Sequence, residues 1–223
     1  SNFARTLALG LSCGKFADKP VAGQTAKYYQ QLTRMSSALA LTSDVAMGVL
    51  GGDLKRKERL SARLGDVLSH LYMSSAVLKY YEDNGRPIAD LPYIKWNMEY
   101  SLEKIQEAFY DFYGNFPNIM IGKVLRFIAF PYGKSYQKPS DKLDRDIVKP
   151  MLSKTEIRDR LTQNTFVGES SDDVTGRVEQ AFYKVLEADE VRRKLRKAMK
   201  AKELDKNANN MERIEQAIEK GII

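Results

Sequence analysis

Leu50-Gly-Gly-Asp-Leu-Lys-Arg-Lys-Glu-Arg-Leu-Ser-Ala-Arg-Leu-Gly-Asp-Val-Leu-Ser-His-Leu-Tyr72 joins a glycine pair, a basic cluster and the start of a long amphipathic pattern. Two adjacent glycines are poor helix formers, so a helix arriving from upstream ends at Gly51-Gly52. Beyond them Leu60, Leu64, Val67, Leu68 and Leu71 recur at the three- and four-residue spacing of one helical face, and Val77 and Leu78 extend it. Asn84-Gly85 ahead of Pro87 supplies the stop. One helix, a glycine break and a second helix on the far side set the fold class.

The same period runs outward in both directions. Upstream, Tyr28, Leu32, Met35, Leu39, Val45 and Val49 predict a mostly buried helix over residues 22–50. Downstream, Asp90 as a cap and Pro92 in the first turn introduce Ile94, Met98, Leu102, Ile105, Phe109 and Phe112, and Gly114 and Pro117 end that run. A shorter helix carries Met120, Ile121, Val124, Leu125 and Ile128 up to Pro131. Short breaks between amphipathic helices predict an all-α fold, an antiparallel up-and-down bundle over residues 1–130. Residues 131–223 follow as a polar loop and a smaller, more charged helical tail. In that tail Ser153-Lys154-Thr155-Glu156 has the spacing of a capping box, Val174, Val178, Ala181, Phe182 and Val185 make an amphipathic helix, and a last short helix falls within residues 211–223.

Composition narrows the chemistry. The 223 residues are 43% hydrophobic, enough for a sizeable core, and carry a formal charge of +7, which favours anionic partners. One cysteine, Cys13, excludes an internal disulfide and a cysteine metal cluster, and one histidine, His70, excludes a histidine-rich metal site. No secretory-leader pattern is evident, and no window is apolar enough to span a bilayer, the nearest being residues 35–50, short and interrupted by Asp44. A cytoplasmic protein, peripheral at the inner membrane if it meets membrane at all, is the expectation.

Most residues that resemble chemistry have a plainer reading. Gly133-Lys134-Ser135 ends like a phosphate-binding loop, but Ile128 stands where that loop needs its first glycine. His70 has no paired acid and nucleophile, and Cys13 has no histidine partner, so both are read as structural. Tyr28, Tyr29, Tyr72, Tyr80 and Tyr81 are read as core tyrosines with hydroxyls at the rim.

The quoted stretch, with Ala76-Val77-Leu78-Lys79-Tyr80-Tyr81 after it, resembles the carboxy-terminal helical region of bacterial long-chain acyl-CoA dehydrogenases, the FadE type of fatty-acid β-oxidation. So do Ala89-Asp90-Leu91-Pro92, Asn115-Phe116-Pro117-Asn118, and Phe130-Pro131-Tyr132-Gly133 leading to Pro139-Ser140-Asp141-Lys142-Leu143-Asp144. The resemblance covers roughly residues 45–150 in the right order. It implies a flavin-dependent enzyme in which a carboxylate takes the α-proton of a long acyl-CoA while FAD accepts the β-hydride. It also implies that FAD and the thioester are held by other domains, so no catalytic, cofactor-binding or metal-binding residue is assigned here.

Two basic clusters remain. Lys55, Arg56, Lys57, Arg59 and Arg63 are opposed nearby only by Asp53 and Glu58, and they crowd what the sequence predicts as the first turns of a helix, where positive charge is unfavourable. Arg192, Arg193, Lys194, Arg196, Lys197, Lys200 and Lys202 form the second, with only Leu195, Ala198 and Met199 as apolar neighbours. The expected partner of the first cluster is a carboxylate on the catalytic domains of the same polypeptide; in the tail Arg192, Arg193 and Lys197 are the candidate anionic-partner contacts, and its narrow apolar face means that any membrane contact there would rest on charge and be weakened by salt. A lipid headgroup, a coenzyme A phosphate and a homodimer contact are the other readings. A stand-alone basic module for nucleic acid or an acidic protein is the alternative of a different class; for nucleic acid it has the charge but no reading motif.

Overall fold

The computed structural model describes residues 1–168 and 172–223, and every regular element among them is helical. The chain forms two compact units, Ser1–Leu152 and Ser153–Ile223. The first is built from α1 (Asn2–Leu11), α2 (Ala26–Leu50), α3 (Asp53–Arg56), α4 (Glu58–Asp83), α5 (Leu91–Gly114), α6 (Ile119–Ala129) and α7 (Asp141–Met151). Its long helices α2, α4 and α5 are joined by short breaks and pack against one another, with α6 on α5, α1 on α2 and α6, and α7 on α5.

The core follows the predicted period closely in α5, where Ile94, Met98, Leu102, Ile105, Phe109 and Phe112 are all buried. They meet Met35 and Ala38 of α2 and Val67, Leu71 and Leu78 of α4. Elsewhere the stripe is displaced. Leu68 on α4, Val49 on α2 and Met120 and Val124 on α6 face solvent, and the buried places are taken by Ser74, Ala46, Gly122 and Ala129. Small residues allow helices to approach closely, so the buried face need not be the most apolar one. At α6 the approach is between backbones: a Cβ on Gly10 would stand 2.5 Å from the Ile128 carbonyl oxygen, and one on Gly122 would stand 2.3 Å from that of Tyr113.

Four local expectations are corrected. Residues 2–11, assigned no element from sequence, form α1, which Thr6 anchors by donating to the Ser37 carbonyl at 2.9 Å. Asp90 lies in a short 3-10 turn, Ile88–Asp90, and does not cap α5 through its side chain; Pro92 does sit in the first turn. The cap in the tail is Thr155, whose hydroxyl accepts from the Arg158 amide at 3.3 Å, rather than Ser153. Tyr72 is exposed, whereas Tyr28 and Tyr81 are core residues.

The sequence placed the division of the chain at 130/131. The compact units divide between Leu152 and Ser153 because residues 131–152 fold onto α5. The Gln106 side chain accepts from the amides of Ser135 and Tyr136 at 2.8 and 3.1 Å and donates to the Tyr136 carbonyl at 3.0 Å. Trp96 donates to Asp144 at 2.6 Å and Tyr93 to the Ile147 carbonyl at 2.7 Å, fixing α7.

The second unit holds α8 (Glu156–Thr162), α9 (Val174–Lys200) and α10 (Asn210–Glu219). The amphipathic run from Val174 and the basic run from Val191 are one continuous helix. Arg158 of α8 pairs with Glu179 of α9 at 2.8 Å and stacks over Phe182 at 4.4 Å. A small cluster of Ala198, Leu204 and Ala217 joins α9 to α10, and Asn209 and Glu212 form a full capping box.

Candidate cationic cleft

Gly51 takes φ +51°, a left-handed value that a side chain rarely adopts, and its amide closes α2 on the Met47 carbonyl at 2.9 Å. The chain re-enters helix at once as α3, a single turn, and bends again at Lys57 (φ −93°, ψ 61°). The Lys57 carbonyl then accepts from Leu60 and Ser61 to start α4, and the Ser61 hydroxyl donates back to the Leu54 carbonyl at 2.9 Å. Buried Leu60 anchors the corner.

This corner opens a cleft of about 450 Å³ against the end of α5. Arg56, Lys57, Glu58, Arg59 and Arg63 line one side, Asn115 and Pro117 the other, and Leu60 the floor. Arg56 reaches Asp53 at 3.9 Å in an exposed pair of little strength. Among the described residues Lys57, Arg59 and Arg63 have no acidic partner. Lys55 stands outside the lining. The bend also corrects the expected placement of charge: Lys55 and Arg56 occupy the last turn of α3, where cations are tolerated, and only Lys57, Arg59 and Arg63 crowd the start of α4.

The tail cluster is organised differently. Arg193 pairs with Asp189 at 3.1 Å and Lys194 with Glu190 at 3.6 Å, each acid one turn towards the N-terminus, the favourable order. Arg192 and Lys197 are exposed on the same helix. Two of the seven cations are thus answered within α9, and the two clusters belong to separate units.

A second polar cleft, about 460 Å³, lies between α2, α5 and the 131–140 loop, with Lys27, Lys95 and Lys138 around Glu99, Gln31 and Ser135. Arg34, only 3% exposed, sits beside Gln31 and Tyr136 of its wall. It donates to the Ala129 carbonyl at 3.0 Å and to the Tyr136 hydroxyl at 3.3 Å, and lies over the rings of Phe130 and Tyr136. Ala129 ends α6, so the guanidinium meets the negative end of that helix rather than a carboxylate. Burial pushes the Tyr136 hydroxyl up and Arg34 draws it down. Nothing in the sequence pattern marks Arg34, Gln106 or Tyr136, because the partners that join them are 29 or more residues away.

His70 is half-buried against the edge of Tyr100, with burial holding its basicity below the ordinary value and Nδ1 unbonded. The carbonyl of Cys13 accepts from Gln31 at 2.9 Å. Neither stands beside the groups a nucleophile would need.

The family model described as acyl-CoA dehydrogenase, C-terminal, bacterial type, matches residues 1–223. The chain belongs to this family. No solved structure matches it. An acyl-CoA dehydrogenase C-terminal domain implies FAD in the whole enzyme. In the Gly133-Lys134-Ser135 turn the Gly133 amide donates to the Phe130 carbonyl at 3.0 Å and the Ser135 amide to the Gln106 side chain at 2.8 Å. Among the described residues no helix of this domain is long and apolar enough to cross a membrane, and no three metal-ligating side chains converge.

Proposed function

We propose that the chain is the accessory carboxy-terminal domain of a flavin-dependent dehydrogenase that desaturates long-chain acyl-CoA between its α and β carbons, and that it braces the catalytic domains through the cationic cleft. The family match over the whole chain carries the reading. The cleft supports it: three cations without an acidic partner, held at a rigid corner beside the end of α5, form a surface that an acidic face of the same polypeptide would neutralise. The domain itself orients no reacting atom; FAD and thioester belong to the other domains.

The test is charge reversal of Lys57, Arg59 and Arg63 to glutamate in the intact, flavin-loaded enzyme. The triple variant is expected to lower its thermal midpoint by several degrees and to lose the salt sensitivity of that midpoint, while the 223-residue domain alone, in which these side chains have no acidic partner and sit at the start of α4, keeps or slightly raises its own midpoint. An unchanged midpoint in the intact enzyme would leave the cluster as a solvated face and end the bracing role.

A further inference from the structure

No aspartate or glutamate occurs between Asp111 and Asp141, whereas Lys123, Arg126, Lys134 and Lys138 do. This acid-free stretch contains α6, whose inner face is closed by Gly122, Leu125, Ile128 and Ala129. Its outer face exposes Met120, Val124 and Phe127, at 68, 52 and 63%, in an i, i+4, i+7 stripe. Lys123 and Arg126, both exposed, flank one side of the stripe. Exposed Tyr132 follows, its hydroxyl bonded to the Leu11 carbonyl at 3.1 Å, so the face continues onto α1. The segment before Asp18 is also free of acids and carries Arg5 and half-exposed Phe3 and Leu11. Asp44 is bonded to Asn2 at the far end of α1, and Asp18 lines a separate cleft with Arg5, Ala8 and Leu9.

We propose that this α6 face is a contact surface for anionic lipid. An apolar stripe on a convex helix, with cations beside it, matches a helix lying in the plane of a bilayer interface, its apolar side chains entering the acyl boundary and its Lys and Arg stems reaching back to phosphates. Tyr132 and Phe127 are of the type enriched at that depth. A second copy of the chain is disfavoured as occupant, because stacking two such faces would set Lys123 and Arg126 against their own kind. The cationic cleft is a different surface, and the experiment separates the two.

The intact, flavin-loaded enzyme is sedimented with phosphatidylcholine vesicles and with vesicles containing phosphatidylglycerol, at low and high salt. Binding is expected only to the anionic vesicles, weakened by salt, and to fall at least ten-fold in M120S/F127S and in K123E/R126E, while K57E/R59E/R63E binds as the parent does. Tryptophan placed at position 127 is expected to add fluorescence that brominated lipid quenches beyond the parent's, a readout that keeps a large apolar side chain on the stripe. No preference for anionic vesicles, undiminished binding by M120S/F127S, or an unquenched tryptophan would overturn the proposal, the first pointing to an acidic protein groove instead. Failure here leaves the bracing role intact, since that role is read from the intact enzyme's stability.

Discussion

His70 shows how little of a residue's role is visible in its type. Its lone position excluded catalysis from sequence, but its energetic part comes from burial beside Tyr100, which outweighs the nearby Asp66 carboxylate and acts with Lys104 to disfavour the charged ring. The folded state therefore binds its proton less readily than the unfolded chain. The stabilising contribution is present above the unfolded value, near 6.5, and declines as pH falls through it, so urea midpoints are expected to drop from pH 7.5 to 5.5 and to drop less in H70Q. Arg34 is the opposite case, a charge that the pattern would place outside and the fold places inside. R34A removes the donor to the Ala129 carbonyl and two ring contacts, and is expected to cost about 3 kcal/mol in equilibrium unfolding. Arg34 was illegible because its counter-charge is a helix end 95 residues away, which no local spacing records.

At the scale of elements, α5 was legible almost residue by residue, since it is surrounded by α2, α4, α6 and α7 and its apolar positions decide everything. α6 was legible in extent but not in orientation. Its sequence is apolar nearly all round, and what turns Gly122 inward is a backbone contact with Tyr113 that only the assembled fold reveals. G122A is accordingly expected to destabilise by about 2 kcal/mol despite alanine's better helix propensity, measured by thermal melting against G65A, whose site is open. The corner at residues 51–57 was half legible: the glycines predicted the break, but the extra turn of α3 moved Lys55 out of the lining and set Arg56 beside Asp53, leaving Lys57, Arg59 and Arg63 in the cleft without an acidic partner.

For the whole molecule, an all-helical bundle followed by a charged tail was readable because period and breaks are local properties. The point of division was not, because it depends on where residues 131–152 find their partners. The two units differ in what holds them: an extended core of large side chains in the first, and in the second an ion pair and a small cluster around Ala198, Leu204 and Ala217. Urea unfolding is therefore expected to be biphasic, with far-ultraviolet helicity falling before the fluorescence of Trp96, the single tryptophan, which lies in the first unit. Coincident curves would show one cooperative block. The Gln106 clasp has a further consequence for how the loop meets a protease. Residues 131–140 look like a linker and offer the Lys134–Ser135 bond to trypsin, Lys138 being followed by Pro139, yet cleavage needs a stretch of backbone released from its bonds, and the amides of Ser135 and Tyr136 are held just past Lys134. Under brief digestion this loop should survive uncut and become a cleavage site in Q106A, where the clasp is gone.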